Sequence, residues 1–486
     1  MSLSLLPSSS SAPVLDGASR TLHPIHSVIE DILIHILSHL TESELILVTH
    51  VDATLRHRVL GLPVFWLDIA LTSAAQGPLN RFFAFLERSH GAGIRLRVDI
   101  RHRTAAAMKA LLPALSTHVG HTRRLHLKVP LQYQPQTLAA LSYAQTPLLE
   151  EASIQFYNDS FFVTNTSTSS LFAELPLALF GGAAPHLRTL RLDNLCLPLD
   201  QIPALRGVRE LVYAYDSDSG LDARVLGVRL PALTKLSIVV GHVQPGVENI
   251  TPGPPLARLQ CLAVYFKPDL SMPATHEMLL SALSHRSIPH VALHGFHSFR
   301  TIDLETFINP HVDGLPLGPT QASASVTHTT PIDISFLSVF GKMEEGFCVS
   351  LGSLDTGRTR SVTSWLGQRF AAHRAEQPYD TFARHAVQRC FHDISNYIVE
   401  LDVSMHERFA WETLAEACDR STSTKCAAFG VEMPSLREVV VRADEEAIKE
   451  LRPRELEVWD LIRRLGAAHG TPTLEFHNPS RYRYAQ

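Results

Sequence analysis

A short motif, apolar-x-x-apolar-x-apolar, recurs along this chain and limits what it can fold into. It reads Leu187-Arg-Thr-Leu190-Arg-Leu192, then Val208-Arg-Glu-Leu211-Val-Tyr213, Leu233-Thr-Lys-Leu236-Ser-Ile238, Leu259-Gln-Cys-Leu262-Ala-Val264 and Ile288-Pro-His-Val291-Ala-Leu293. Later copies are Ile398-Val-Glu-Leu401-Asp-Val403 and Leu436-Arg-Glu-Val439-Val-Val441, with weaker forms at 125–127, 149–154 and 474–476. The last residues of each unit alternate inward and outward, as strand side chains do. A strand this short has no stability alone. Stacked on like strands, one per repeat of about 20 to 30 residues, it builds a parallel sheet whose apolar positions form a continuous core. Pro185, Pro231 and Pro434 precede copies of the motif, where the ring sets a turn and its missing N–H costs the ladder nothing.

The length agrees with an extended array. At 486 residues the chain exceeds the ~250–300 residues at which a single core stops growing. Apolar residues make up 45% and charged residues 19%, enough to bury a large core. The 43 Lys+Arg against 48 Asp+Glu leave a net charge of −5, which argues against a general nucleic-acid binder, because such a protein carries a basic stripe for phosphates. No apolar run reaches the ~18 residues of a membrane span, so no membrane partner is expected. The six cysteines are scattered without a CxxC pair, a usage that fits reduced thiols in the cytoplasm or nucleus.

Upstream of the repeats the text changes. Residues 1–20 are rich in Ser and Pro and read as a disordered leader. Val28, Ile29, Ile32, Leu33, Ile36, Leu37 and Leu40 then recur at spacings of mostly three and four, one apolar stripe on a helix. Thr41 with Glu44 three residues on has capping-box spacing, and Leu45, Val48, Val51 and Leu55 form a second stripe. Pro63-x-Phe65-Trp66 closes the segment. A bundle of ~40 residues buries too little surface to stand alone, so it should lean on a neighbour.

The run Val28-Ile-Glu-Asp-Ile-Leu-Ile-His-Ile-Leu-Ser-His-Leu40 resembles the first half of an F-box. The run 44–51, through Pro63-Val-Phe-Trp66, is similar to its second half. Leu67-Asp-Ile-Ala-Leu71 and Phe85-Leu-Glu-Arg-Ser89 are similar to the continuation in mushroom-type fungal F-box proteins, where an F-box precedes irregular leucine-rich repeats; the F-box of this chain is degenerate. In this chain Val28-Ile29 stands for the usual Leu-Pro, Asp52 for the usual Cys and Leu55 for the usual Trp. The resemblance implies a non-enzymatic, substrate-recruiting adaptor of a ubiquitin ligase. The helices would dock a Skp-family adaptor, and through it a cullin, by Val28, Ile29, Ile32, Leu33, Ile36, Leu37, Leu40, Leu45, Val48, Val51, Phe65 and Trp66. The repeats would hold a protein substrate.

The expected fold is α/β: a short all-α module followed by an irregular leucine-rich-repeat solenoid, parallel strands concave and helices convex. Its parts are a leader (1–20), an F-box-like module (24–70), linking helices with a first irregular repeat (71–120), repeats (121–300), an irregular loop and β insertion (301–352) and C-terminal repeats (353–486). Helices are predicted at 104–112, 171–179, 277–283, 382–397 and 411–417, a long loop at 304–332, and an apolar, β-like stretch out of register at 334–351. Outward strand positions are the candidate partner face: Lys128, Arg191, Asp193, Lys235, Tyr265, His294, Asp402 and Arg442, among others. They mix charge signs, so no polyanion is implied.

Two other readings stand beside this one. The helical segment could be a decayed F-box on a plain interaction scaffold. The loops Asp218-Ser-Gly220 and Asp355-Thr-Gly357 offer the two carboxylates that an aspartic protease needs, although Asp218 follows the acidic turn Tyr215-Asp-Ser and Arg358 stands after the second glycine, where a hydroxyl residue is wanted. His35 and His39 have metal-capable helical spacing, but no third ligand accompanies them, and no metal or cofactor is expected.

Overall fold

The computed structural model describes residues 28–100, 105–157, 173–198, 200–215, 223–240, 256, 258–266, 283, 287–296, 322–329, 343–353, 358–367, 398–405, 438–443 and 473–477. These form an α/β structure whose centre is an open, all-parallel sheet of nine strands: β1 (Asp68–Leu71), β2 (Ile94–Asp99), β3 (Thr122–Pro130), β4 (Glu151–Tyr157), β5 (Thr189–Asp193), β6 (Glu210–Tyr215), β7 (Lys235–Val240), β8 (Cys261–Phe266) and β9 (His290–Phe296). Each strand pairs with the next in sequence. The sheet continues through β10 (Ala322–Thr329), β11 (Met343–Ser353), β12 (Thr359–Gly367), β13 (Ile398–Met405), β14 (Glu438–Ala443) and β15 (Thr473–His477), in the order β9-β12-β11-β10-β13-β14-β15.

The recurring motif sets the register. Ile69, Leu96, Leu125, Ala152, Leu190, Leu211, Leu236, Leu262 and Val291 lie opposite one another across the nine strands. So do Leu71, Val98, Leu127, Ile154, Leu192, Tyr213, Ile238, Val264 and Leu293. All are buried. Two unbroken apolar rows thus run across the sheet. A slip of one residue would turn a whole strand's leucines to the other face, which is why the register is well specified.

Three short helices precede the sheet: α1 (Glu30–Leu37), α2 (Glu42–Val48) and α3 (Ala53–Gly61). The predicted capping box opens α2: the Thr41 hydroxyl accepts from the Glu44 N–H, and the Glu44 carboxylate accepts from the Thr41 N–H at 2.7 Å. Asp52 caps α3, accepting from the Thr54 and Leu55 N–H groups. A 3-10 turn, Pro63–Trp66, leads into β1. Further helices are α4 (Gln76–Arg88), α5 (Ala105–His118), α6 (Gln134–Ser142) and α7 (Ala223–Arg229). Of these, α5 begins where the helix at 104–112 was predicted and runs a further six residues, carrying Pro113 within it.

Other expectations are corrected. The described part of 171–179 is not an α-helix; its last residue opens a 3-10 turn, Leu179–Gly182. Pro176 lacks the N–H an α-helix needs, and Phe180 and Gly181 adopt φ of 56° and 60°. A Cβ on Gly181 would stand 2.9 Å from the Gln145 backbone nitrogen, so only glycine fits that turn. The loop predicted at 304–332 contains β10, whose Ala-Ser-Ala-Ser-Val-Thr text has the period of a strand. Of the out-of-register stretch, 343–351 belongs to β11, which pairs antiparallel with both β10 and β12, and 334–342 lies outside the described residues. The antiparallel pairings explain the lost register, and β12 and β10 then return to parallel pairing with β9 and β13. The helices predicted at 277–283 (apart from Leu283), 382–397 and 411–417, the leader at 1–20, and Asp218 and Asp355 lie outside the described residues.

Candidate interaction surfaces

The helical segment divides its apolar residues between two sides. Leu33, Leu37, Leu45, Leu55, Val59 and Trp66 are buried in the core shared with the sheet. Trp66 donates its indole N–H to the Val59 carbonyl at 3.2 Å, packs on Phe85 at 5.0 Å between ring centroids and lies under the Arg88 guanidinium. Four residues expected on the adaptor surface, Leu33, Leu37, Leu45 and Trp66, are therefore internal. A tryptophan has enough apolar area to anchor the turn against α4. Val28, Leu40, Val48 and Phe65 are half-buried. Ile29 (67% exposed), Ile32 and Ile36 (51% each), Leu47 (65%) and Val51 (71%) face out, as does Val64. Ile32 and Ile36 share one stripe of α1, beside the inward stripe of Leu33 and Leu37, and Ile29 is its N-cap residue. The helix is apolar over more of its circumference than its own core uses.

The second surface is the outer face of the sheet, opposite the leucine rows. Across β1 to β5 a hollow of about 630 Å³ is lined by alternating charges, including Asp68, Arg95, Arg97, Asp99, Arg124, His126, Lys128, Glu151 and Arg191. The strand register places Asp68, Arg95, Arg124 and Glu151 in one row, Arg97, His126, Ser153 and Arg191 in the next, and Asp99, Lys128, Gln155 and Asp193 in a third. Arg95 pairs with Asp68, and Arg191 lies 3.8 Å from Glu151. Burial pushes the His126 imidazole below its ordinary value; Arg97, Lys128 and Arg191 push the same way, while Asp99 opposes them.

Beyond β5 the same face changes character. Val212, Ala214 and Val239 are buried. On β8 and β9 the rings of Tyr265 and His294 stack at 4.3 Å with 10° between planes. Burial pushes His294 down to about 4 and pushes the Tyr265 phenol up. Asp193 and His294, expected to face solvent, are thus interior residues, 2% and 8% exposed. Across the ladder Asp193 stands between Gln155 and Ala214, and His294 stands beside Tyr265. Lys235 is exposed, and Lys128 and Arg191 are half-buried. Asp402 sits opposite Ser325 and Val440, and Arg442 opposite Ser404 and His477.

Several lining residues of the hollow were missed by the sequence reading: Arg95, Arg97, Asp99, Arg124, Ser153 and Gln155. A signal was there. Ile94-Arg-Leu-Arg-Val-Asp99 alternates apolar and charged residues without a break, the period of a half-buried strand.

His35 and His39 meet edge to face at 5.1 Å; among the described residues, no group of three or more His, Cys, Asp or Glu could hold a metal ion. Among the described residues no helix is long and apolar enough to cross a membrane. Compared with known proteins, the chain matches no family model and no curated protein.

Proposed function

We propose that this chain is the substrate-recruiting adaptor of a Skp–cullin–F-box-type ubiquitin ligase. An F-box-like module at 24–70 docks a Skp-family adaptor, and a leucine-rich-repeat solenoid holds a protein substrate, in the cytoplasm or nucleus. Ubiquitin transfer belongs to other subunits. One observation carries this reading: exposed aliphatic side chains, Ile32 and Ile36 on α1 and Leu47 on α2, with Ile29 and Val51 just beyond helix ends, on a segment whose other side is already sealed. Fully burying one such side chain is worth about 1.5–3 kcal/mol, and this chain leaves that gain to a partner. Leu33, Leu37, Leu45 and Trp66 then act from beneath, holding the helices that present the exposed side chains. The solenoid reading is supported by the sequential parallel pairing of β1 to β9 and by the two apolar rows beneath them.

The test is co-expression of the full chain with a Skp-family adaptor, followed by affinity capture. The wild type should retain the adaptor. Ile32→Glu with Ile36→Glu should lose it, because a hot-spot contact is worth about 2 kcal/mol or more, roughly thirtyfold in affinity. Equal retention by the folded double variant, or no retention by the wild type, overturns the docking reading and leaves an interaction scaffold.

A further inference from the structure

We infer that the hollow over β1 to β5 binds an extended, acidic peptide segment of a protein partner. This deepens the reading that the sheet face holds a recruited protein, and it is independent of whether α1 docks an adaptor.

The charge accounting comes first. Five cations line the hollow: Arg95, Arg97, Arg124, Lys128 and Arg191. Arg95 is matched by Asp68 and Arg191 by Glu151, and the rim carboxylate Glu42 lies 3.5 Å from Arg81. Among the described residues, Arg97, Arg124 and Lys128 form no ion pair and no side-chain hydrogen bond. They surround His126: Arg97 lies opposite it on β2, and Arg124 and Lys128 flank it on β3. Asp99, opposite Lys128 on β2, is the fourth lining carboxylate, so five cations face four carboxylates; the three cations left around His126 in a concave, partly desolvated site favour an anion.

The geometry selects the kind of anion. Arg124 and Lys128 are four residues apart along one strand, about 13 Å at 3.3 Å per residue. A peptide lying along β3 spans that distance with acidic side chains at i and i+4. The interspersed carboxylates Asp68, Asp99 and Glu151 would repel a continuous run of phosphates, whereas separate acidic side chains pass between them. Gln155 adds an independent observation. It is 1% exposed, it lines the hollow, and its Oε1 has no hydrogen-bond partner among the described residues, while its Nε2 reaches the Ser153 hydroxyl at 3.4 Å. A buried amide acceptor left unpaired is costly. A phosphate dianion has no donor to offer it, but a peptide carries an N–H at almost every residue.

The experiment uses the full chain and an array of nonapeptides in which acidic residues vary in number and position. Retained protein should rise with acidic content, peak for acidic residues at i and i+4, and fall as salt is raised. Arg97→Gln/Arg124→Gln/Lys128→Gln removes only exposed or half-buried charges. With an unchanged thermal transition and unchanged capture of the Skp-family adaptor, it should weaken the best peptide at least tenfold. Gln155→Leu should weaken it without changing the salt dependence. Retention indifferent to acidic content, or equal binding by the triple variant, overturns the proposal. So does displacement of the best peptide by a single-stranded DNA of equal charge at equal concentration. Adaptor capture is read in the same preparations, so loss of peptide binding and loss of adaptor docking are scored separately.

Discussion

Replacing His294 with phenylalanine should flatten the acid limb of the stability curve. The wild-type imidazole is buried and stacked on Tyr265, and its folded value lies near 4 because burial disfavours the charged form. In the unfolded chain it titrates near 6.5. Between those values the unfolded state binds more protons than the folded state, so stability falls as pH falls. The contribution is intact above about pH 6.5 and is lost progressively down to about pH 4. The whole difference amounts to about 3 kcal/mol, of which about 2 kcal/mol is already lost at pH 5. Phenylalanine keeps a ring for the stack but cannot titrate. His118, His121 and His126 are also held below their ordinary value, chiefly by burial; they are common to both proteins and cancel in the difference. Urea unfolding at pH 7.5, 6 and 5 measures it: wild type should lose about 2 kcal/mol more than the variant over that range. Equal losses would refute the reasoning, since they would mean that this imidazole is solvated in the folded protein.

Three further outcomes follow from the packing. Trp66→Ala should cost about 3–5 kcal/mol in urea unfolding, because it empties a fully buried site against Phe85 and leaves the Val59 carbonyl without its indole donor. Thr41→Ala removes one half of the α2 capping box and should cost about 1 kcal/mol, read in the same assay, with hydrogen exchange speeding first at Glu44 and its neighbours. Gly181→Ala meets both a positive φ and the Gln145 backbone, and should destabilise by more than the ~1 kcal/mol of an ordinary Gly/Ala difference. An unchanged melting temperature in Gly181→Ala would show that the turn can relax.

The local period of the sequence determined the strands. The apolar-x-x-apolar-x-apolar text is a property of each short segment, and the segments at 187–293 do run as neighbouring parallel strands with their leucines in two rows. The capping box at Thr41 and the helical stripes from Val28 onward were legible for the same reason, since each depends on residues within one or two turns. Only the tertiary structure decided which side of α1 is sealed. Leu33 and Leu37 are buried in the core and Ile32 and Ile36 face out, although all four read alike in one dimension. It also decided that β12 returns to pair with β9, because strand order is set by long-range pairing that no local pattern encodes. The hollow belongs to the same class: Arg97, His126, Ser153 and Arg191 come from four separate strands and meet because parallel ladders align them. A residue's period is written in its neighbours along the chain, but its company in space depends on how distant segments stack, and burial and charge are decided there.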